Sequence, residues 1–220
     1  MTVRAVFLDV DDTLVDYQTA ARAAFENAIG SLDRYDEFHN LDHYERFLTG
    51  EFDFQTFRDT RMADFLARVG MTDEVARAAE IERRRFDGLA AHYTLFDDVH
   101  WCLDLLRARE LRIGLITNNE GAHQRAKLAT VGLDRLVDVI VISQEIGVAK
   151  PDARIFAHAC ELVGVRADEA IHVGDNPYAD AEGAHLAGLR AVWLDRRAEH
   201  DGAERPYAVI RGLHELADHV

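Results

Sequence analysis

Lysine is almost missing from this chain. Of its 25 basic residues only Lys127 and Lys150 are lysine, so position 150, between an apolar stretch and a proline, asks for a reason. Cysteine is equally scarce: Cys102 and Cys160 lie far apart in apolar, helical surroundings without metal-ligand spacing. That excludes a disulfide framework or a thiolate metal site and predicts two buried free thiols. No apolar run approaches the roughly 20 residues of a membrane span, and the N-terminus lacks the charged-then-apolar pattern of a secretory leader, so a cytoplasmic protein is expected. Positive charge is short as well. The 25 basic residues against 40 acidic ones leave a net charge of -15, which would repel a nucleic-acid backbone or an anionic membrane, and neither is expected as a partner. Repeats, low-complexity tracts and Pro/Ser-rich linkers are absent.

What the chain does have is a rhythm. Short apolar runs at 3–10, 112–118, 138–143, 170–175 and 190–195 resemble strands buried on both faces, and helix-length segments at 98–110, 121–132, 152–164 and 178–188 separate the later ones. This βαβ alternation predicts an α/β fold, a Rossmann-like parallel sheet with helices on both faces. Pro151 and Pro177 suit the first turns of helices, with Asn176 capping the second. Residues 16–93 break the rhythm: they hold no convincing strand but show helical spacing in Ala21, Ala24, Phe25 and Ala28, and again in Phe54, Phe57, Met62, Phe65 and Val69. The expected division is a core of 1–15 and 94–220 with an inserted all-helical segment, 16–93.

In a parallel sheet ligands lie beyond the carboxyl ends of the strands. There the first run presents "DVDDT" (Asp9, Asp11, Asp12, Thr13), the second Thr117-Asn118-Asn119 and the fourth Gly174-Asp175 with Asp180 five residues later, while Lys150 follows the third. Crowded carboxylates destabilise a fold unless a cation or a chemical task accompanies them.

"DVDDT", Thr117, the "KP" at 150–151 and "GDNPYAD" at 174–180 together resemble the four motifs of the haloacid dehalogenase (HAD) superfamily of phosphohydrolases, and the resemblance covers essentially the whole chain. Segment 16–93 matches the place of that superfamily's C1-type cap, and "VISQEIGVAKPDARIF" resembles the branch containing pyrimidine 5′-nucleotidases. The resemblance implies a phosphatase acting on a small phosphorylated metabolite, with nucleoside 5′-monophosphates among the candidates. Asp9 is then the nucleophile that forms an aspartyl-phosphate, and Asp11 the proton carrier, its pKa raised by acidic neighbours. Thr117, Asn118 and Lys150 would hold the phosphate. Mg²⁺, which prefers oxygen ligands, would sit on Asp9, the Asp11 backbone carbonyl and Asp175, with Asp180 orienting a metal-bound water from behind. A 2-haloacid dehalogenase is a rival, but loss of halide needs no acid at position 11. A phosphomutase of the same superfamily and a phospho-acceptor signalling module are further alternatives; the module has no use for a large helical insertion.

Other residues read as structural. Asp12 suits the turn leaving the strand, and Thr13 a bond to loop backbone. His39 and His43, spaced i, i+4, and the run Arg83-Arg84-Arg85 read as solvated helix faces. Phe52 reads as core packing; Phe52 or Arg58 could contact a nucleotide base.

Overall fold

The computed structural model describes residues 2–41, 43–198 and 202–220. They divide into two compact units, one formed by the chain up to Asp16 together with Leu95–Val220, the other by Tyr17–Thr94.

The first unit is built on a parallel sheet. Its strands are β1 (Ala5–Leu8), β2 (Arg112–Thr117), β3 (Val139–Ile142), β4 (Ala170–Gly174), β5 (Arg190–Leu194) and β6 (Ala208–Ile210), in the order β3-β2-β1-β4-β5-β6. The last, a three-residue strand pairing with β5, is too short to show a pattern in sequence. The chain winds to one side of β1 through β2 and β3, then crosses to the other through β4, so a crevice opens where the order reverses. Register makes that crevice level: Leu8 pairs with Leu115 on one side and with Val173 on the other, which brings the ends of β1, β2 and β4 together.

Side chains alternate across the sheet. Ala5 and Phe7 pack with Ile155, Phe156 and Ala159 of the helix Ala153–Val163 and with Ala184 of Gly183–Leu186. The intervening Val6 and Leu8 are fully buried too, as the strand of a two-faced sheet requires, and the helix Val99–Ala108 packs against β2. Cys102 and Cys160 are buried free thiols; burial pushes the first up to about 12 and the second up to about 11.

Two expected helix starts differ. Pro151 does not enter a helical turn: Asp152 caps the next helix, which begins at Ala153, by accepting from the Arg154 N–H. Asn176 does cap, accepting from the N–H groups of Tyr178 and Ala179, but the chain then makes a wide π-type turn over Pro177–Glu182 before the short helix Gly183–Leu186. Gly183 permits this approach, since a Cβ there would lie 2.9 Å from Pro151 Cα.

The second unit is helical, with helices Tyr17–Ile29, Tyr35–His39, His43–Leu48, Phe54–Arg68 and Ala78–Gly88. The residues whose spacing predicted helices form its core: Ala21, Ala24, Phe25 and Ala28 pack with Met62 and Phe65, and Phe25 meets the rings of Tyr35, Phe38 and Phe65. The solvated readings fail in part. His43 is buried with Nε2 2.9 Å from Asp64 Oδ2, while His39 stacks on Tyr35. Arg83 is exposed, but Arg84 donates to the Ala28 carbonyl and Arg85 is buried against Glu82. No helix among the described residues is long and apolar enough to cross a membrane.

Candidate active site

Asp9 continues the β1–β4 ladder one step past the strand, its N–H donating to the Val173 carbonyl at 2.9 Å, so its side chain emerges at the crevice. The chain then turns sharply. Asp12 takes a left-handed conformation (φ 60°), which Asp tolerates better than most residues, and its carboxylate lies 3.3 Å from Arg197. Thr13 Oγ1 accepts from the Asp175 N–H at 3.0 Å and ties the β1 loop to the β4 loop. Both residues thus serve the turn.

Lys150 accounts for the first lysine. Its buried ammonium donates to Asp9 Oδ1 at 2.5 Å, Asp180 Oδ1 at 2.6 Å and the Ile116 carbonyl at 2.8 Å, matching the three donors of a compact point charge. Burial alone would lower its pKa, but Asp180 and Asp9 outweigh that and keep it charged. The Asn118 side chain is committed to the same residue: Nδ2 donates to the Lys150 carbonyl and Oδ1 accepts from the Lys150 N–H, at 2.9 and 2.8 Å. Asn118 therefore clamps the Lys150 loop with its side chain, and any hold on phosphate falls to its main chain.

Asp180 is buried and fully engaged. One oxygen meets Lys150 and His172 Nε2 (2.9 Å), and the other accepts from the Asn176 N–H (3.1 Å). Burial would raise its pKa; Lys150 and the His172 contact overcome this and hold it well below the usual carboxylate range. Gly174 makes room for it, because a Cβ there would come within 2.2 Å of Asp180 Cγ.

Oxygens of Asp9, Asp175 and Asp180 lie within 4.8 Å of one another. Burial, together with the Asp180 and Asp11 charges and despite Lys150, lifts Asp9 to about 7; burial and then Asp9 and Asp180 raise Asp175 well above the ordinary value. Fully ionised, three carboxylates against one ammonium would leave an excess of two negative charges. The donor set, all hard carboxylate oxygen, fits a divalent cation.

Asp11 meets a cation that the sequence reading did not assign. Lys127, buried on the helix Gly121–Val131, places Nζ 2.7 and 2.8 Å from its two oxygens, and Asn119 Nδ2 donates to one of them at 3.2 Å. Gln124, one helical turn before Lys127, donates to Thr117 Oγ1 at 3.0 Å and accepts from Asn119 Nδ2 at 2.9 Å. Lysine scarcity was a signal for position 127 as much as for 150. His172 carried one too, as a lone polar residue inside a buried strand run.

A family model for the haloacid dehalogenase-like hydrolases matches residues 3–188. The chain belongs to that family. A 123-residue stretch, 56% of this HAD-like hydrolase, is 43% identical to phosphoserine phosphatase of Thermus thermophilus; it spans 47% of that protein, about half its length. Glyceraldehyde 3-phosphate phosphatase of Methanopyrus kandleri is 30% identical over 202 residues, 90% of this chain and 87% of the relative. The putative HAD-hydrolase YfnB from Bacillus subtilis, solved bound to magnesium, shares the fold with a TM-score of 0.84 at 24% identity, over 99% of this chain and 98% of that one.

Proposed function

We propose that the protein hydrolyses small phosphomonoesters through an aspartyl-phosphate on Asp9, with Mg²⁺ held by Asp9, Asp175 and the Asp11 backbone carbonyl. The observation that carries this reading is the Lys150 ammonium bridging Asp9 and Asp180 beside Asp175, with a second acid, Asp11, at the same strand end. Bound there, magnesium supplies the positive charge that lets a phosphate dianion come near so many carboxylates.

The chain's own residues do the rest. Lys150 holds one Asp9 oxygen and leaves the other to attack phosphorus; a bond forms from Asp9 to phosphorus as the bond to the leaving oxygen breaks. Asp11 must enter this step protonated: it gives that oxygen its proton, becomes the carboxylate that pairs with Lys127, and then takes a proton from the water that opens the intermediate. Lys127 and Asn119 fix the direction of the Asp11 carboxyl. The Thr117 hydroxyl, oriented by Gln124, and main-chain N–H groups around Asn118 hold the non-bridging oxygens. An acid so anchored at position 11 favours phosphate ester cleavage over loss of halide, which needs no proton.

Nucleoside 5′-monophosphates stay within this reading on the "VISQEIGVAKPDARIF" resemblance alone. The two side chains considered for a base are engaged inside the helical unit: Phe52 lies under Arg46 (3.9 Å) and beside His43, and Arg58 stacks on Phe86 (3.4 Å). Buried free thiols suit a reducing cytoplasm.

Chelation tests the reading. Turnover of p-nitrophenyl phosphate should vanish with EDTA and return with added Mg²⁺; turnover that survives complete chelation contradicts it.

A further inference from the structure

The end of β5 reaches both loops that frame the crevice. Trp193 pairs in register with Gly174, the residue before Asp175, and its buried indole Nε1–H donates to the Asp175 carbonyl at 2.8 Å. Arg196, three residues on, donates to the Thr13 carbonyl at 2.9 Å and is itself held by both oxygens of Asp98, at 2.9 and 2.8 Å. Thr13 in turn accepts from the Asp175 N–H at 3.0 Å. Both polar groups of the Asp175 main chain are therefore taken, the N–H through the β1 loop and the carbonyl by β5 directly.

The Asp175 side chain, by contrast, is held by nothing of its own. Its carboxylate accepts no hydrogen bond and forms no ion pair among the described residues. It stands within 4.8 Å of the Asp9 and Asp180 oxygens, whose like charges repel it. What keeps it pointed at its neighbours is the main chain, and the main chain is fixed by Thr13 and Trp193. Core packing asks only for an apolar ring at position 193; the buried indole N–H also needs an acceptor, and it takes the Asp175 carbonyl.

We propose that Trp193 is a positioning residue of the metal site: by fixing the Asp175 carbonyl it sets the direction of an otherwise untethered carboxylate, and with it the affinity for Mg²⁺. The proposal rests on the Mg²⁺-dependent phosphatase reading above.

Trp193→Phe keeps an aromatic ring in the core and removes the N–H. In calorimetric titration of the full chain this variant should bind Mg²⁺ about tenfold more weakly, the scale on which a lost partner behind a metal ligand acts. Hydrolysis of p-nitrophenyl phosphate should then need correspondingly more Mg²⁺ for its half-maximal rate, while the rate at saturating Mg²⁺ changes little. The same substitution at Trp101, which stacks on His214 away from these loops, should leave the Mg²⁺ affinity as it is. A role in packing alone would lower stability without moving the Mg²⁺ half-saturation, and that result overturns the proposal.

A second measurement leaves Trp193 intact. The chain has two tryptophans, so in Trp101→Phe the remaining indole Nε1–Hε1 resonance belongs to Trp193. It should shift saturably with Mg²⁺, at the affinity that calorimetry gives. A resonance that ignores bound Mg²⁺ overturns the proposal, and if Trp193→Phe does not fold this resonance decides alone. If the wild type neither binds Mg²⁺ nor turns over p-nitrophenyl phosphate, the phosphatase reading falls and takes the proposal with it. If the wild type does both and Trp193→Phe binds Mg²⁺ as tightly, the proposal alone falls.

Discussion

Lys127 and Asp11 form a close ion pair, the lysine Nζ lying 2.7 and 2.8 Å from the two carboxylate oxygens. The other lysine of the chain, Lys150, holds Asp9. Both lysines thus end on the two acids that β1 delivers to the crevice, each as a compact charge fixing one carboxylate.

Lys127→Met should leave Asp11 in place chemically but free its carboxyl to rotate. Turnover of alkyl phosphates should fall by about 10–100-fold, the scale on which small misplacements of a reacting group act. Aryl phosphates, whose leaving groups need less protonation, should lose less in the first step. Single-turnover rates on paired alkyl and aryl esters measure the difference, and equal losses would deny Lys127 a part in directing proton transfer.

Gln124→Leu removes the donor to Thr117 Oγ1 and the acceptor for Asn119. The Thr117 hydroxyl then loses its fixed lone-pair direction, and KM for any phosphomonoester should rise several-fold with a smaller change in kcat. Steady-state kinetics on one aryl ester suffice; an unchanged KM would mean that the Gln124 bridge is not used in binding phosphate.

Gly174→Ala forces a Cβ to within 2.2 Å of Asp180 Cγ. Asp180 must move away from Lys150 and His172, at a cost of about 1–3 kcal/mol for overpacking. Denaturant unfolding should show that loss, and Mg²⁺ titration should show weaker binding. A variant as stable as the wild type would mean that the β4 loop yields more easily than its packing indicates.

The site was legible where one local pattern sufficed. Strands buried on both faces read as apolar runs, and the first, second and fourth of the five runs carried at or near their ends residues that lie at the crevice: Asp9, Thr117 and Asp175. Scarcity singled out Lys127, but its partner and the role of Gln124 were not legible, because both lie on a helix of mixed character and meet Asp11 and Thr117 only after β1 and β2 pair. The Asn118 clamp on the Lys150 loop likewise joins residues 32 positions apart. In the helical unit the apolar spacing located Phe25, Met62 and Phe65, but Arg85 and His43 read as surface: Glu82, one turn before Arg85, was visible as its partner while the burial of the pair was not, and Asp64 meets His43 only through packing between helices.

The crowded acids predict a pH-dependent stability in the absence of metal. Burial lifts Asp9 from 3.8 to about 7, so between these values the folded protein keeps a proton that the unfolded chain has lost. Stability of the metal-free protein should therefore fall as pH rises from about 4 to about 7, by an amount on the order of 1–4 kcal/mol, and Asp9→Asn should remove much of that slope. Mg²⁺, which needs ionised ligands, should raise the melting temperature more at pH 8 than at pH 5. Melting curves at a series of pH values with EDTA or Mg²⁺ report both; a wild-type slope no steeper than that of Asp9→Asn would contradict the account.

The covalent step is the most direct point of test. Wild-type protein mixed with a ³²P-labelled aryl phosphate and Mg²⁺, then acid-quenched on the millisecond scale, should carry label on the peptide containing Asp9. Asp11→Asn should accumulate more of it, because the water that opens the intermediate has lost its base, and Asp9→Asn should carry none. Hydrolysis without labelled protein at any quench time in the Asp11→Asn variant, or label that persists in Asp9→Asn, would contradict an aspartyl-phosphate at Asp9.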